Sequence, residues 1–451
     1  MVLFFLYSLK NNQASWILIV FILPFIFLMA NMFDQPKFNA LRLFQVVYLG
    51  IFIFSKKPEK FWQILLKNIS FIGLILFILA NMVSSIKSME MESVFRSVTY
   101  LQSLGFFLFG YFVVRCRMDN WVTLIKVIGV CGIFVILLGL IEIVEQKPIV
   151  EIFNMQNTSY QLAKLQYYFS ENRFGLGGRI SSILLQPVHA SIFFCIYLIC
   201  QTFYILEYRK NKQVWLLVLV PLAFILIILT GSRGPVLALG LALLFYLAIN
   251  TLSRKKIVPI IIAVIIMGVL AVIINYQVPV IRDYLIASFD PSQDESANFL
   301  GRIKLTDRLF DIFMANPIFG YGPGLIQKSA AQGVSDFIGL EGIENEYAAI
   351  LADGGIISGL AYLVFVIGVF YMVFKGYRSN LKRLRNAATM VSVLAVFYFL
   401  VVTSVFAFSN IGGFLFLSIV GGFAGLLDSY EVLLSGYKRH IAAVKENLIT
   451  G

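Results

Sequence analysis

Between Gly301 and Gly359 the chain reads GRIKLTDRLFDIFMANPIFGYGPG, then a polar passage, then GIENEYAAILADGGIISG. Arg302 and Arg308 precede a glycine-rich turn, and Glu341, Glu344 and Glu346 follow it at the start of a long apolar run. A guanidinium is a permanently charged fork that fits phosphate oxygens, and a carboxylate of suitable pKa accepts a hydroxyl proton. Two further glycine–arginine groupings share the pattern. In ENRFGLGGRISS, Arg173 and Arg179 flank glycines 175, 177 and 178, which let backbone approach a ligand closely. These two arginines read either as phosphate ligands or as holders of anionic lipid head groups or of a neighbouring acid. In Thr230-Gly231-Ser232-Arg233-Gly234-Pro235 a turn this short sets Arg233 at an interface, within reach of a head group or of a cavity between helices.

These residues need elements to hold them, and the composition says which kind. With 59% hydrophobic, 15% aromatic and 13% charged residues in 451, and repeated apolar runs longer than a bilayer requires, the chain reads as an all-helical, polytopic integral membrane protein. Spans are expected at roughly 14–33, 38–55, 69–86, 98–114, 121–144, 187–206, 214–231, 234–250, 257–275, 353–374, 387–408 and 412–434, about twelve transmembrane helices in a single integral domain over 1–451. The first run is too long for a signal-peptide core and lacks a small-residue cleavage site, so it reads as a retained span.

The net charge of +12 falls in short clusters between spans. With both termini cytoplasmic, every inside loop is basic, from Lys56 and Lys57 through Arg115 and Arg117 to Lys438 and Arg439, as orientation by positive loops demands; nucleic acid is not an expected partner. The outer side then holds two long segments, 145–186 and 276–343, expected to form interfacial helices. In the second, Leu305, Leu309, Ile312 and Phe313 make an apolar stripe for a helix lying on the membrane or packed on the bundle, and Pro317 and Pro323 stop it.

A run from Glu344 to Phe374 would be roughly 46 Å long as a helix, against a hydrocarbon core of about 30 Å. If straight, it carries Asp353 to the outer edge and Glu344 roughly 16 Å beyond. Asp353, before two glycines, suits a cap or a hinge, and Glu344 and Glu346 also suit the positive end of a helix dipole. His189 after Pro187 either lines a cavity or is a hydrogen-bonded packing residue. Cys116, Cys131, Cys195 and Cys200 show no metal-ligand spacing with the two histidines, and no metal or cofactor is expected.

The order of features resembles the O-antigen ligase and polymerase superfamily of bacterial surface-polysaccharide enzymes. It comprises a GSRG turn between two spans, Arg302 on a helix ending in NPxxGxGxG, then Asn345-Glu346-Tyr347 running into ADGGIISG. The resemblance implies a C-type glycosyltransferase fold that takes glycan from a polyprenyl (undecaprenyl) pyrophosphate at the outer face of the inner membrane and passes it to an acceptor hydroxyl. It also implies partners: the lipid-linked oligosaccharide, membrane lipids, a chain-length regulator and a flippase. Ligases of this superfamily commonly have histidine before the Asn; here the position is Glu344. That favours a polymerase, which joins lipid-linked repeat units, over a ligase, which moves finished polymer to an anchor.

Such a transfer requires stabilisation of the leaving pyrophosphate and a base on the other face of the sugar. Glu344 is the expected base, and Arg173, Arg179, Arg233 and Arg302 are the expected pyrophosphate ligands. Arg308, Asn345, Glu346, Tyr347, His189 and Asp353 are the supporting residues. A transporter or flippase would instead place ionisable residues at mid-bilayer and repeat its broken helices.

Overall fold

A computed structural model describes residues 66–152, 179–184, 186–208, 215–252, 294–326, 345–403 and 411–450, and no strand occurs among them. Helices α1 (Ile69–Ser88), α2 (Met91–Cys116) and α3 (Asn120–Glu145) run up and down through short turns. Single turns follow at Ile149–Ile152 and Ser182–Leu184. Then come α4 (Pro187–Tyr208), α5 (Trp215–Leu229), α6 (Arg233–Leu252) and α7 (Asp294–Ala315). The last three are α8 (Glu346–Tyr377), α9 (Lys382–Val401) and α10 (Ile411–Thr450).

Helices α1, α3, α4, α8, α9 and residues 412–434 of α10 are long and apolar enough to cross a membrane, and α5 and α6 contain shorter apolar stretches. Helix starts follow local chemistry. The Asn68 side chain accepts from the Ser70 and Phe71 N–H groups at 3.0 and 3.4 Å. Pro187 opens α4, where a missing N–H leaves no broken bond.

Two helix pairs pack with backbones almost touching. A Cβ added at Gly110, Gly421 or Gly425 would strike the carbonyl oxygen of Ser418, Phe107 or Tyr111, which locks α2 against α10. Gly73 lies on the backbone of Phe365 and Gly368 on that of Ser70, which joins α1 to α8. Between lipid-immersed helices little hydrophobic gain is available, so close backbone approach through small residues supplies much of the attraction. Aromatic rings fill the rest: Tyr398 stacks on Phe416 with centroids 4.1 Å apart, and Phe106 on Phe414 at 4.6 Å.

Of the expected spans, those from 69–86 to 234–250 and from 353–374 to 412–434 coincide with helices, and in 387–408 the helix ends at Val401. The expected spans 14–33, 38–55 and 257–275 lie outside the described residues. The helix expected to run straight from Glu344 is not straight. It starts at Glu346 and breaks at Gly355, which adopts φ 68° and ψ −169°. The expected stripe on α7 packs on the bundle, where Leu309 and Phe313 are buried and Leu309 clusters with Ala349 and Ala352 of α8.

Short turns fix which helix ends lie together. The α1–α2 turn, the end of α3, the start of α4 and the α5–α6 turn share one end of the bundle with the start of α8, as bonds from Ser84 to Asp353 and from Ile180 to Leu229 confirm.

Candidate functional site

The glycine-rich turn and the break in α8 form one hydrogen-bonded unit. α7 ends at Ala315, and the chain then turns through Gly320 (φ 64°), Gly322 (φ 102°) and Gly324 (φ 77°). The break at Gly355 frees the carbonyls of Ala352 and Asp353, which accept from the N–H groups of Tyr321 (3.0 Å) and Gly322 (2.8 Å). In return, Ile356 N–H donates to Pro317 O at 2.8 Å. The Asp353 Oδ2 accepts from Gly324 N–H at 3.2 Å, and the Ser84 hydroxyl donates to Asp353 O at 2.8 Å. Asn81 Nδ2 reaches Ser358 Oγ at 2.8 Å. A buried backbone needs such partners, and here sequence-distant segments supply them to each other. Asp353 is thus the hinge residue, tied to the turn by its carboxylate and to α1 by its carbonyl.

The first turn of α8 is held from α9. Asn345 is the N-cap, its side chain accepting from Ala348 N–H at 3.2 Å. Glu346 N–H donates to Val402 O at 3.0 Å, and the Tyr347 hydroxyl donates to Phe399 O at 2.7 Å. The Glu346 side chain is fully buried, within electrostatic reach of Tyr100, Tyr362 and Tyr398 from three helices.

A second group forms around the α5–α6 turn. Buried Arg179 donates from Nε to Thr230 O at 3.0 Å and from one Nη to Ser232 Oγ at 3.4 Å, so it holds the turn that carries Arg233. Arg233, half-buried, is the first residue of α6. Beside them, Glu142 of α3 is fully buried and accepts from the N–H groups of Ile149 (2.8 Å), Ser181 (3.1 Å) and Ser182 (2.6 Å). It ties Ile149 on one side and Ser181 and Ser182 on the other to α3.

Of the residues expected from sequence, Arg179 braces the turn that carries Arg233, and Glu346, Tyr347 and Asp353 follow the N-cap Asn345 on the first piece of α8. Arg308 is exposed on α7, and Arg302 lies one and a half turns earlier on that helix, its side chain outside the described residues. His189 is half-buried in the first turn of α4. Glu344 and Arg173 lie outside the described residues. Sequence reasoning missed Arg96 and Lys87 at the α1–α2 corner and Glu142 on α3. Arg96 packs where a Cβ at Gly324 would be, and Lys87 lies over the Phe319 ring at 5.2 Å. The signal for Glu142 was available, since an acid inside an apolar span needs a partner.

Residues 217–363 match the family model described as O-antigen ligase. The matched stretch runs from α5 into α8, so it takes in the GSRG turn, α7, the glycine-rich turn and the broken helix, and it leaves out Arg173 and Arg179. The match supports the O-antigen ligase and polymerase superfamily, whose members are membrane glycosyltransferase-type enzymes, and with the apolar helices it makes the chain a multi-pass membrane protein. No curated protein matches the chain.

Proposed function

We propose, from the O-antigen ligase family domain carried in residues 217–363, that this chain polymerises a bacterial surface polysaccharide. It takes glycan from a polyprenyl-pyrophosphate donor and joins it to a sugar hydroxyl of a second lipid-linked repeat unit, at the outer face of the inner membrane. The observation that carries this reading is the union of the NPIFGYGPG turn with the break in α8. It fixes α7, with Arg302 and Arg308, against the helix that Asn345 caps.

In this mechanism Glu344, next to the N-cap, accepts the acceptor hydroxyl proton as its oxygen bonds to the anomeric carbon. The bond from that carbon to the pyrophosphate oxygen breaks, and the leaving charge is met by Arg302 and Arg233. Arg179 serves through the turn it braces, and Arg173 is proposed as a further pyrophosphate ligand. Residues 145–186 and 276–343 form the lid over a lateral opening, since the donor's tail stays in hydrocarbon. Activity needs no metal in this scheme; a chain-length regulator and a flippase are the proposed protein partners.

Glu344 in place of histidine supports polymer growth over anchoring. The family's description as O-antigen ligase supports the second reading, transfer of finished polymer to a lipid or protein anchor. Separating products by their anchor decides between them. Purified protein given only lipid-linked repeat units should yield longer glycan still on lipid pyrophosphate. Product formed only after an anchor lipid is added identifies a ligase.

A further inference from the structure

The glycine turn offers little backbone to an anion. The N–H groups of Gly320, Tyr321, Gly322, Gly324 and Leu325 all donate within the turn and hinge. A phosphate held here has to be held by side chains, not by the nest of N–H groups that a glycine-rich loop often forms. Among the described residues two basic side chains border the turn, and both come from the α1–α2 corner. Lys87 lies over Phe319, and the half-buried Arg96 lies against Gly324, where any added Cβ would overlap its Cδ, Nε and Cζ.

Asp353 lies within electrostatic reach of Arg96. Its Oδ2 takes the Gly324 N–H, while its Oδ1 is buried with no hydrogen-bond partner among the described residues. The Arg96 charge is therefore partly offset by Asp353. A grip on an anion at this corner depends on direct paired donors, which a guanidinium has and an ammonium lacks.

We propose that Arg96 is a further ligand of the donor's diphosphate, its side chain aligned by Gly324 and Asp353. The proposal rests on the lipid-diphosphate reading above and adds to that site a residue from outside the family-matched stretch.

The test is binding of glycan-free polyprenyl diphosphate to the purified full-length protein in phosphatidylcholine nanodiscs, with phosphatidylglycerol as a second ligand. Wild type should bind the diphosphate; if it does not, the donor reading fails and this proposal with it. Given wild-type binding, Arg96→Ala and Arg96→Lys should each weaken it about tenfold or more, the scale of a lost charge-assisted contact. Arg96→Lys keeps the charge and the stem, so it covers the case in which the alanine variant does not fold. A double variant, Arg96→Gln with Asp353→Asn, separates a ligand from a counter-ion: binding stays weak if Arg96 holds the diphosphate. Binding that is unchanged in the single variants, or restored in the double one, overturns the proposal. Phosphatidylglycerol binding as tightly at this site also overturns it, by making Arg96 a head-group contact.

Discussion

Gly355 adopts φ 68° and ψ −169°, a region essentially restricted to glycine, where other residues carry about 1–3 kcal/mol of strain. A Cβ there would also strike the carbonyl oxygen of Ile318. Gly355→Ala is expected to lower the unfolding temperature in detergent and to abolish product, because it separates α8 from the turn. Normal stability and activity would show that the break is dispensable. Glu142→Gln makes a different demand. Its two oxygens accept three backbone N–H groups, and an amide would turn its own N–H₂ toward one of them, at a cost of about 1–3 kcal/mol. Limited proteolysis should then cut faster within 146–186 while the remaining fragments stay intact. At this scale the sequence was informative where residues cluster in one motif: the glycine turn, Asn345-Glu346-Tyr347 and the GSRG arginine. Arg96 was not legible, because nothing near it in the chain marks it; only the fold brings it to Gly324.

Helix α8 is two pieces, and the glycine turn supplies the partners its break leaves open. The apolar run from 353 to 374 shows a span by hydropathy alone, and the two glycines after Asp353 show a weak point. Where the freed carbonyls go was not legible, since Ala352 and Asp353 bond to residues some thirty positions upstream in a separate segment, roughly the length of a span away in sequence. The N-terminal piece is also capped. Asn345→Ala should cost about 1 kcal/mol, the usual value of an N-cap side chain, and Asn345→Asp should recover it. Thermal unfolding of the two variants checks this, and equal losses would mean that the side chain serves substrate and not the helix. For the α2–α10 pair, Gly421→Leu drives a side chain into the Phe107 carbonyl, and overpacking of this kind costs about 1–3 kcal/mol. A measurable fall in unfolding temperature is expected.

The two ends of the bundle differ in what they carry. One end gathers the turns, the hinge and the buried acids Glu142, Glu346 and Asp353. The other carries Arg115, Lys375 and Arg383, the last two in ion pairs with Glu431 and Asp119. Basic loops are expected on the cytoplasmic side, so this end is the proposed inner one. Added cysteines test the orientation: Met89→Cys, on an exposed corner, should react with an impermeant thiol reagent in intact cells, and Ser379→Cys only after permeabilisation. The reverse pattern would invert the molecule and remove the outer-face site. Apolar runs and basic clusters made the helical architecture legible; the glycine contacts that pair α2 with α10 and α1 with α8 were not, because a single glycine in a span does not say what it faces.

In the proposed function the broken helix and its turn build a polymerising glycosyltransferase with Glu344 as its base. Its most direct test is the chain-length ladder made by reconstituted wild type and Glu344→Gln from one lipid-pyrophosphate-linked repeat unit. A ladder from wild type, reduced about 10²-fold or more in rate by Glu344→Gln at equal folding, is the predicted result. A ladder of equal rate and length from the variant would contradict it.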